Sequence, residues 1–256
     1  MRDSAPGDVQ VWAINVVGLP VPAGELWAVL SAAEQQRAER FRHAADRRRS
    51  VVARGVLRML LAEALNCVPS ELEFAETEHG KPVLHGGRWR APEFNVSHSG
   101  DWVLIALSGA GPVGVDVEEI RTVRELEAIA TRYFAPAEAL AIRSAPASRR
   151  LAAFFTCWTR KEAFVKALGT GMQTPLERFQ VTAAEQAAAL VSIEDSFEAA
   201  AEWTLLDVPP DDAYAAAVAV QAPGVRATLR LWPGTESAAE FSLRDSAQSI
   251  RTDMAS

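Results

Sequence analysis

An α/β fold of two similar lobes is predicted by three observations. The order of two helices followed by short strands occurs twice, the helices carry apolar residues at three- and four-residue steps, and β-rich segments are separated by Gly, Pro, Asn and Ser. A first strand spans Val9 to Val17, and Pro20 and Pro22 break it before a short segment around Leu26 to Leu30. Ser31 and Glu34 have the spacing of a capping box and start a helix that carries Arg37, Arg40 and Arg42. The next helix, Ala45 to Leu65, places Val52, Val56, Met59, Leu60 and Ala64 on one buried face and opens with Arg47, Arg48 and Arg49.

Short strands then follow at Leu72 to Ala75, Phe94 to Val96, Trp102 to Leu107 and Val113 to Val117. Helices are expected over Val123 to Phe134, from Pro136 to Ile142, and from Arg149 to Leu168, where Gly169 supplies the left-handed stop. A second strand set reads at Phe179 to Val181, Trp203 to Val208, Tyr214 to Gln221 and Thr228 to Trp232. The predicted division is an N-terminal lobe over 1–110, a C-terminal lobe over 111–232 and a mobile tail over 233–256, where periodicity fades.

Composition narrows the function. With 49% hydrophobic residues the chain has ample core, and a net charge of −7 argues against a nucleic-acid binder, which needs a broad basic face. No apolar run reaches membrane-span length and Met1 to Gln10 does not read as a signal peptide, so a cytoplasmic protein with no membrane partner is expected. Cys67 and Cys157 are read as buried thiols. Against 23 arginines stand three lysines, Lys81, Lys161 and Lys166, each inside a motif described next. A compact ammonium at those positions is the reading.

In Val113 to Glu118 alternation puts Val113, Val115 and Val117 on one strand face and Asp116 and Glu118 on the other, about 6–7 Å apart. Two such carboxylates need solvent, a cationic partner or a metal between them. On the long helix Trp158, Glu162 and Lys166 fall on one stripe at i, i+4 and i+8, with Lys161 about 100° round. Glu162 and Lys166 can form a surface pair, but Phe154, Phe155, Phe164 and Val165 surround the helix with apolar neighbours, and a half-buried Glu162 then needs a charged partner. Asn95 to Gly100 (NVSHSG) ends a strand at a Gly turn, exposing His98 to phosphate binding or proton relay, or to an ordinary loop role. The run from His79 to Pro82 reads first as a plain turn.

Taken in order, Gly80 to Pro82, Asn95 to Gly100, Gly114 to Glu118 and Trp158 to Lys166 (WTRKEAFVK) resemble the 4′-phosphopantetheinyl transferases, specifically the larger two-lobed type that activates peptide synthetases and polyketide synthases. The resemblance implies two α/β lobes about a pseudo-twofold axis, a monomer, and coenzyme A lying between the lobes. It implies Mg²⁺, or Mn²⁺ in its place, on Asp116, Glu118 and Glu162. Lys166 and Arg37 would neutralise the pyrophosphate, Arg49 and His98 would hold the 3′-phosphate, and Gly80, Lys81 and Pro82 would line the adenine site. Lys161 would lie beside the phosphates and Ser97 would help to position them. Glu162, directly or through a metal-bound water, is the expected proton acceptor, a metal-activated water is the competing account, and His98 is the second candidate. Asp116 and Lys166 complete the catalytic set.

Glu34 stands where many members of that family carry a basic residue, so 3′-phosphate binding would lean on Arg40, Arg48 or Arg49. The implied partners are apo acyl, peptidyl or aryl carrier proteins, docking against Arg121 to Phe134. Two other readings of the same residues are a magnesium-dependent transferase for another nucleotide and a non-catalytic module whose arginines bind nucleic acid or phosphoproteins. The absence of a Walker loop counts against ATP chemistry.

Overall fold

The structure, a computed structural model, describes residues 8–19, 21–78, 80–85, 91–233 and 238–241. Strand β1 (Val9–Asn15) leads into helices α1 (Ala23–Ala28), α2 (Ala32–Glu39) and α3 (Ala44–Leu65). The capping box is present: the Ser31 hydroxyl accepts from the Glu34 N–H and the Glu34 carboxylate from the Ser31 N–H. Then come β2 (Phe74–Glu76), β3 (Pro82–Leu84), β4 (Glu93–Ser99), β5 (Trp102–Ser108) and β6 (Val113–Glu119). The second half holds α4 (Leu126–Tyr133), α5 (Pro136–Ser144), α6 (Arg150–Leu168), β7 (Phe179–Val181), β8 (Leu190–Ile193), α7 (Phe197–Ala201), β9 (Thr204–Asp207), β10 (Tyr214–Val220), β11 (Ala227–Leu231) and β12 (Ala238–Phe241). Gly169 closes α6 in the left-handed region at φ 73°.

Two α/β lobes result. One sheet runs β12-β11-β1-β5-β4 and packs α3 through Val52, Val56 and Leu60. The other runs β6-β10-β9, with α6 laid across β6 and β10 and a core of Phe154, Phe164 and Phe179 beyond it. Val9, Val11, Leu104 and Ala106 of the first sheet meet Val113, Val115, Val117 and Val218 of the second in a shared apolar seam. The lobes are therefore fused by core burial.

Chain order and lobes part company at the end. Ala227–Leu231, assigned by sequence to the second lobe, pairs parallel with β1 in the first sheet, Val11 opposite Leu229. This covers an edge that β1 would otherwise leave open. The expected tail from 233 also contains β12, antiparallel to β11, while 242–256 lies outside the described residues. Of the two cysteines, Cys157 is buried and Cys67 only half-buried.

Candidate active site

The centre of the molecule is a seam where β4, β6 and α6 meet. β4 and β6 are joined by side chains instead of a backbone ladder. Asn95 Oδ1 accepts from the Val115 N–H at 3.0 Å, Ser97 Oγ from Val117 N–H at 3.3 Å, and Ser99 Oγ from Glu119 N–H at 3.1 Å. Alternate residues of one strand thus satisfy alternate N–H groups of the other, as buried backbone donors require.

On the opposite face of β6, toward α6, lie the carboxylates. Asp116 is 4% exposed; its Oδ1 accepts from Lys166 Nζ at 2.6 Å and Ser97 Oγ at 2.9 Å, and Lys166 Nζ also donates to Ser97 Oγ at 2.9 Å. Glu118 accepts from Ser99 Oγ at 2.8 Å. Glu162 and Lys166 descend from α6 into the same field. Burial lifts the Glu162 carboxyl above the usual carboxylate range, Asp116 adds to the lift and Lys166 opposes it. Glu118 is raised too, first by burial, with the Ser99 hydrogen bond pulling back and Asp116 pushing up. Three acidic groups therefore crowd one ammonium.

They do not close on a point. Among the described residues no three metal-ligating side chains are gathered as a binding set, because Lys166 holds Asp116 Oδ1 and Glu118 turns to Ser99. Asp116 Oδ2, however, is buried without a hydrogen-bond partner among them, and an unpaired carboxylate oxygen in the interior calls for a cation. The chemistry of the set, hard oxygen donors under mutual repulsion, fits a divalent ion.

Beside this seam opens a cavity of about 320 Å³ walled by α2, α3, β3 and β4. Arg37, Arg49, Pro82 and His98 line it together, as do Glu34, Phe41, Ser50 and Arg54. Arg37 pairs with Glu76 at 2.6 Å, and Arg49 donates to the Gly100 carbonyl at 2.9 Å and pairs with Asp46. His98 is lowered from its ordinary pKa, chiefly by partial withdrawal from water and then by the Arg49 cation, so near neutrality it is an uncharged imidazole. Of the arginines expected to compensate for Glu34, only Arg49 lines the cavity; Arg48 donates to the Val17 carbonyl and lies with Trp27 in a different groove, and Arg40 is exposed at the end of α2.

Two expectations are corrected. Lys161 is fully buried and faces away from the cavity, bonding the Leu176 and Phe179 carbonyls at 2.9 and 2.6 Å and Glu138 at 2.8 Å. Glu138 in turn caps the Ala135 N–H and accepts from the Val181 N–H, so Lys161 ties α6 to α5 and β7 and cannot reach a phosphate. Ser97 is buried under Asp116, bonded as above, and orients that carboxylate instead of a phosphate. Gly80 does turn at φ 78°, and Lys81 behind it donates to the Val113 carbonyl at 3.4 Å across the lobe boundary, its pKa lowered by burial against the pull of Glu93. His79 lies outside the described residues. Sequence reading missed Arg54, although Asp46, Ser50 and Arg54 fall on one helical stripe at four-residue steps.

A carboxylate seam beside a cationic cavity can bind a polyphosphate, offset its charge and accept a proton at its edge. Comparison with known proteins gives the family. A family model described as "4'-phosphopantetheinyl transferase superfamily" matches residues 112–219, and one described as "4'-phosphopantetheinyl transferase, N-terminal" matches 24–109. The chain is 36% identical over 216 residues to the 4'-phosphopantetheinyl transferase HetI of Nostoc sp., covering 83% of this chain and 87% of that protein. It is 36% identical over 200 residues to the 4'-phosphopantetheinyl transferase psf-1 of Bacillus pumilus, covering 78% and 82%. With the phosphopantetheinyl transferase of Thraustochytrium sp. it shares 32% over 231 residues, covering 84% and 80%.

Proposed function

The chain belongs to the 4′-phosphopantetheinyl transferases, and from that premise we propose how its own residues bind coenzyme A and carry out the transfer. The enzyme moves the 4′-phosphopantetheine moiety of coenzyme A to a serine of an apo carrier protein and releases adenosine 3′,5′-bisphosphate. The observation that carries the assignment of residues is that β4 serves both places: Ser97 and Ser99 bond the carboxylates and Lys166, while His98 lines the cavity with Arg37 and Arg49.

In this reading Arg49 and His98 hold the 3′-phosphate. Arg37, whose exposed pair with Glu76 is worth little in water, turns to the pyrophosphate, as does Lys166. Pro82 and the Gly80 turn flank the adenine. The serine hydroxyl attacks the β-phosphorus, an oxygen–phosphorus bond forms as the bond to the bisphosphate breaks, and the hydroxyl proton passes to Glu162. Asp116, Glu118 and Glu162 would hold Mg²⁺, or Mn²⁺, which when bound supplies positive charge to the pyrophosphate. The carrier, an acidic partner, would dock by Arg121, Arg124 and Arg132, all exposed around α4. No helix among the described residues is long and apolar enough to cross a membrane.

Incubation with coenzyme A, Mg²⁺ and an unmodified carrier domain is expected to add one phosphopantetheine to the carrier by mass. No adduct on acyl, peptidyl or aryl carriers would sink the proposal. The metal assignment has a test that needs no turnover. Mg²⁺ at about ten times its Kd is expected to raise the thermal midpoint by ~3–6 °C, because it binds the folded carboxylate set and not the unfolded chain. An increment that survives in Asp116→Asn places the ion elsewhere.

A further inference from the structure

The turn between β4 and β5 reaches from the first lobe onto the second. Gly100 at its tip is left-handed at φ 52°, and the Tyr214 phenol, from the start of β10, lies so close that a Cβ on Gly100 would collide with the phenol oxygen. The peptide unit joining Gly100 to Asp101 is held at both ends. Its carbonyl accepts from Arg49 Nη1 at 2.9 Å, and its N–H donates to Tyr214 Oη at 3.1 Å. The two partners come from different lobes: Arg49 stands on α3 and lines the cavity, whereas Tyr214 pairs with Glu119 in the β6-β10-β9 sheet. A second contact backs the turn, Trp102 Nε1 to Asp211 Oδ2 at 2.8 Å, with Asp211 Oδ1 accepting from the Ala213 N–H.

A peptide plane beside glycine turns over readily, because glycine accepts either sign of φ. Turned over, this one would withdraw its carbonyl from Arg49 and aim its N–H at the guanidinium instead. Arg49 would then keep only Asp46, which holds Nη2 from within α3 and leaves the fork free to pivot. We propose that Tyr214 is a positioning residue for coenzyme A binding: it fixes the Gly100–Asp101 peptide plane and, through that plane, the Arg49 guanidinium, so that a side chain of the second lobe sets the cavity of the first. Bonds in line across one peptide also polarise each other, so losing the phenol weakens the Arg49 contact even where the plane stays put. The proposal rests on the coenzyme A reading above and gives Tyr214 an action through the peptide, with no contact of its own to the substrate.

The test compares wild type with Tyr214→Phe, Arg49→Met and the double variant. Phenylalanine keeps the ring and the strand pairing and leaves Trp102 on Asp211, so the thermal midpoint of Tyr214→Phe is expected within about 4 °C of wild type. Its Kd for coenzyme A, by calorimetric titration, and its KM should each rise about three- to tenfold, with kcat within about twofold of wild type. Because Tyr214 acts through Arg49, adding Tyr214→Phe to Arg49→Met should raise the Kd by less than about twofold further. An unchanged Kd in Tyr214→Phe overturns the proposal. So does the same rise in both backgrounds, which would assign Tyr214 to the general cohesion of the lobes. A wild-type protein that neither binds coenzyme A nor transfers from it defeats the coenzyme A reading itself, a result distinct from normal binding by Tyr214→Phe.

Discussion

Asp116→Asn is expected to lower kcat/KM for carrier modification by about 10²–10³-fold while leaving the thermal midpoint within a few degrees of wild type. The two halves of that expectation have one origin. Asparagine keeps the volume of the side chain and an oxygen for Ser97 Oγ and Lys166 Nζ, so the local hydrogen bonds have a substitute acceptor. Losing the charge weakens a pair whose lysine is 29% exposed, which costs stability. It also removes the repulsion that Asp116 exerts on Glu162 and Glu118, which returns stability. Catalysis has no such compensation, because Asp116 is the carboxylate around which Lys166, Ser97 and both glutamates are arranged. Steady-state kinetics with coenzyme A and a carrier domain, alongside thermal unfolding, checks both halves. Activity within threefold of wild type would remove Asp116 from the catalytic set.

How far this site was legible depends on the period of the element that carries each residue. Asp116 and Glu118 were placed on the face opposite Val113, Val115 and Val117 by strand alternation, and the valines do fill the seam between the sheets while the acids face α6. Glu162 and Lys166 were placed together by the four-residue helical step. Lys161 was misplaced because α6 is apolar nearly all round. With Phe154, Phe155, Phe164 and Val165 buried on several sides, nothing local says which flank of Glu162 faces the cavity and which faces the core. Its partner Glu138 lies on another helix, a contact no spacing reveals. The rarity of lysine was informative even so. At Lys161 a compact ammonium reaches a carboxylate and two carbonyls.

The sheet to which the last strand belongs escaped the sequence for a related reason. The sequence marks a strand at Thr228 to Trp232, observed as Ala227–Leu231, but is silent on its partner, and the parallel pairing with β1 joins segments far apart in the chain. Short elements were lost to their own composition. Pro82–Leu84 begins with proline and reads as a turn, and the five residues Phe197–Ala201 span too little for a helical period. The NVSHSG motif reads as a strand end opening on a Gly turn that exposes its side chains. In the structure Asn95, Ser97 and Ser99 point along the joint with β6, leaving His98, the residue between two of them, to face the cavity.

Gly114→Ala is expected to be strongly damaging. A Cβ at this position would lie 2.1 Å from the Ala163 carbonyl oxygen, 2.3 Å from the Ala167 nitrogen and 2.8 Å from the Lys166 carbonyl carbon. All three are backbone atoms of α6, so no side-chain rotation can make room, and the helix must move off the strand. Overpacking a core by a methylene commonly costs ~1–3 kcal/mol, and a clash with helix backbone belongs at or beyond the upper end. A fall of at least ~6–12 °C in the thermal midpoint follows for a chain of this size. The turn of α6 that rests on Gly114 is the one carrying Glu162 and Lys166, so the displacement separates both from Asp116. Misplacement by about 1 Å can cost ~10²-fold in rate, and transfer is expected to fall at least that far at temperatures where the variant is still folded. Gly24→Ala is the control, since nothing lies within 4 Å of its added Cβ and alanine favours the helix it sits in. If Gly114→Ala matched that control in midpoint and rate, the close approach of α6 to β6 could not be what brings the carboxylates and Lys166 together.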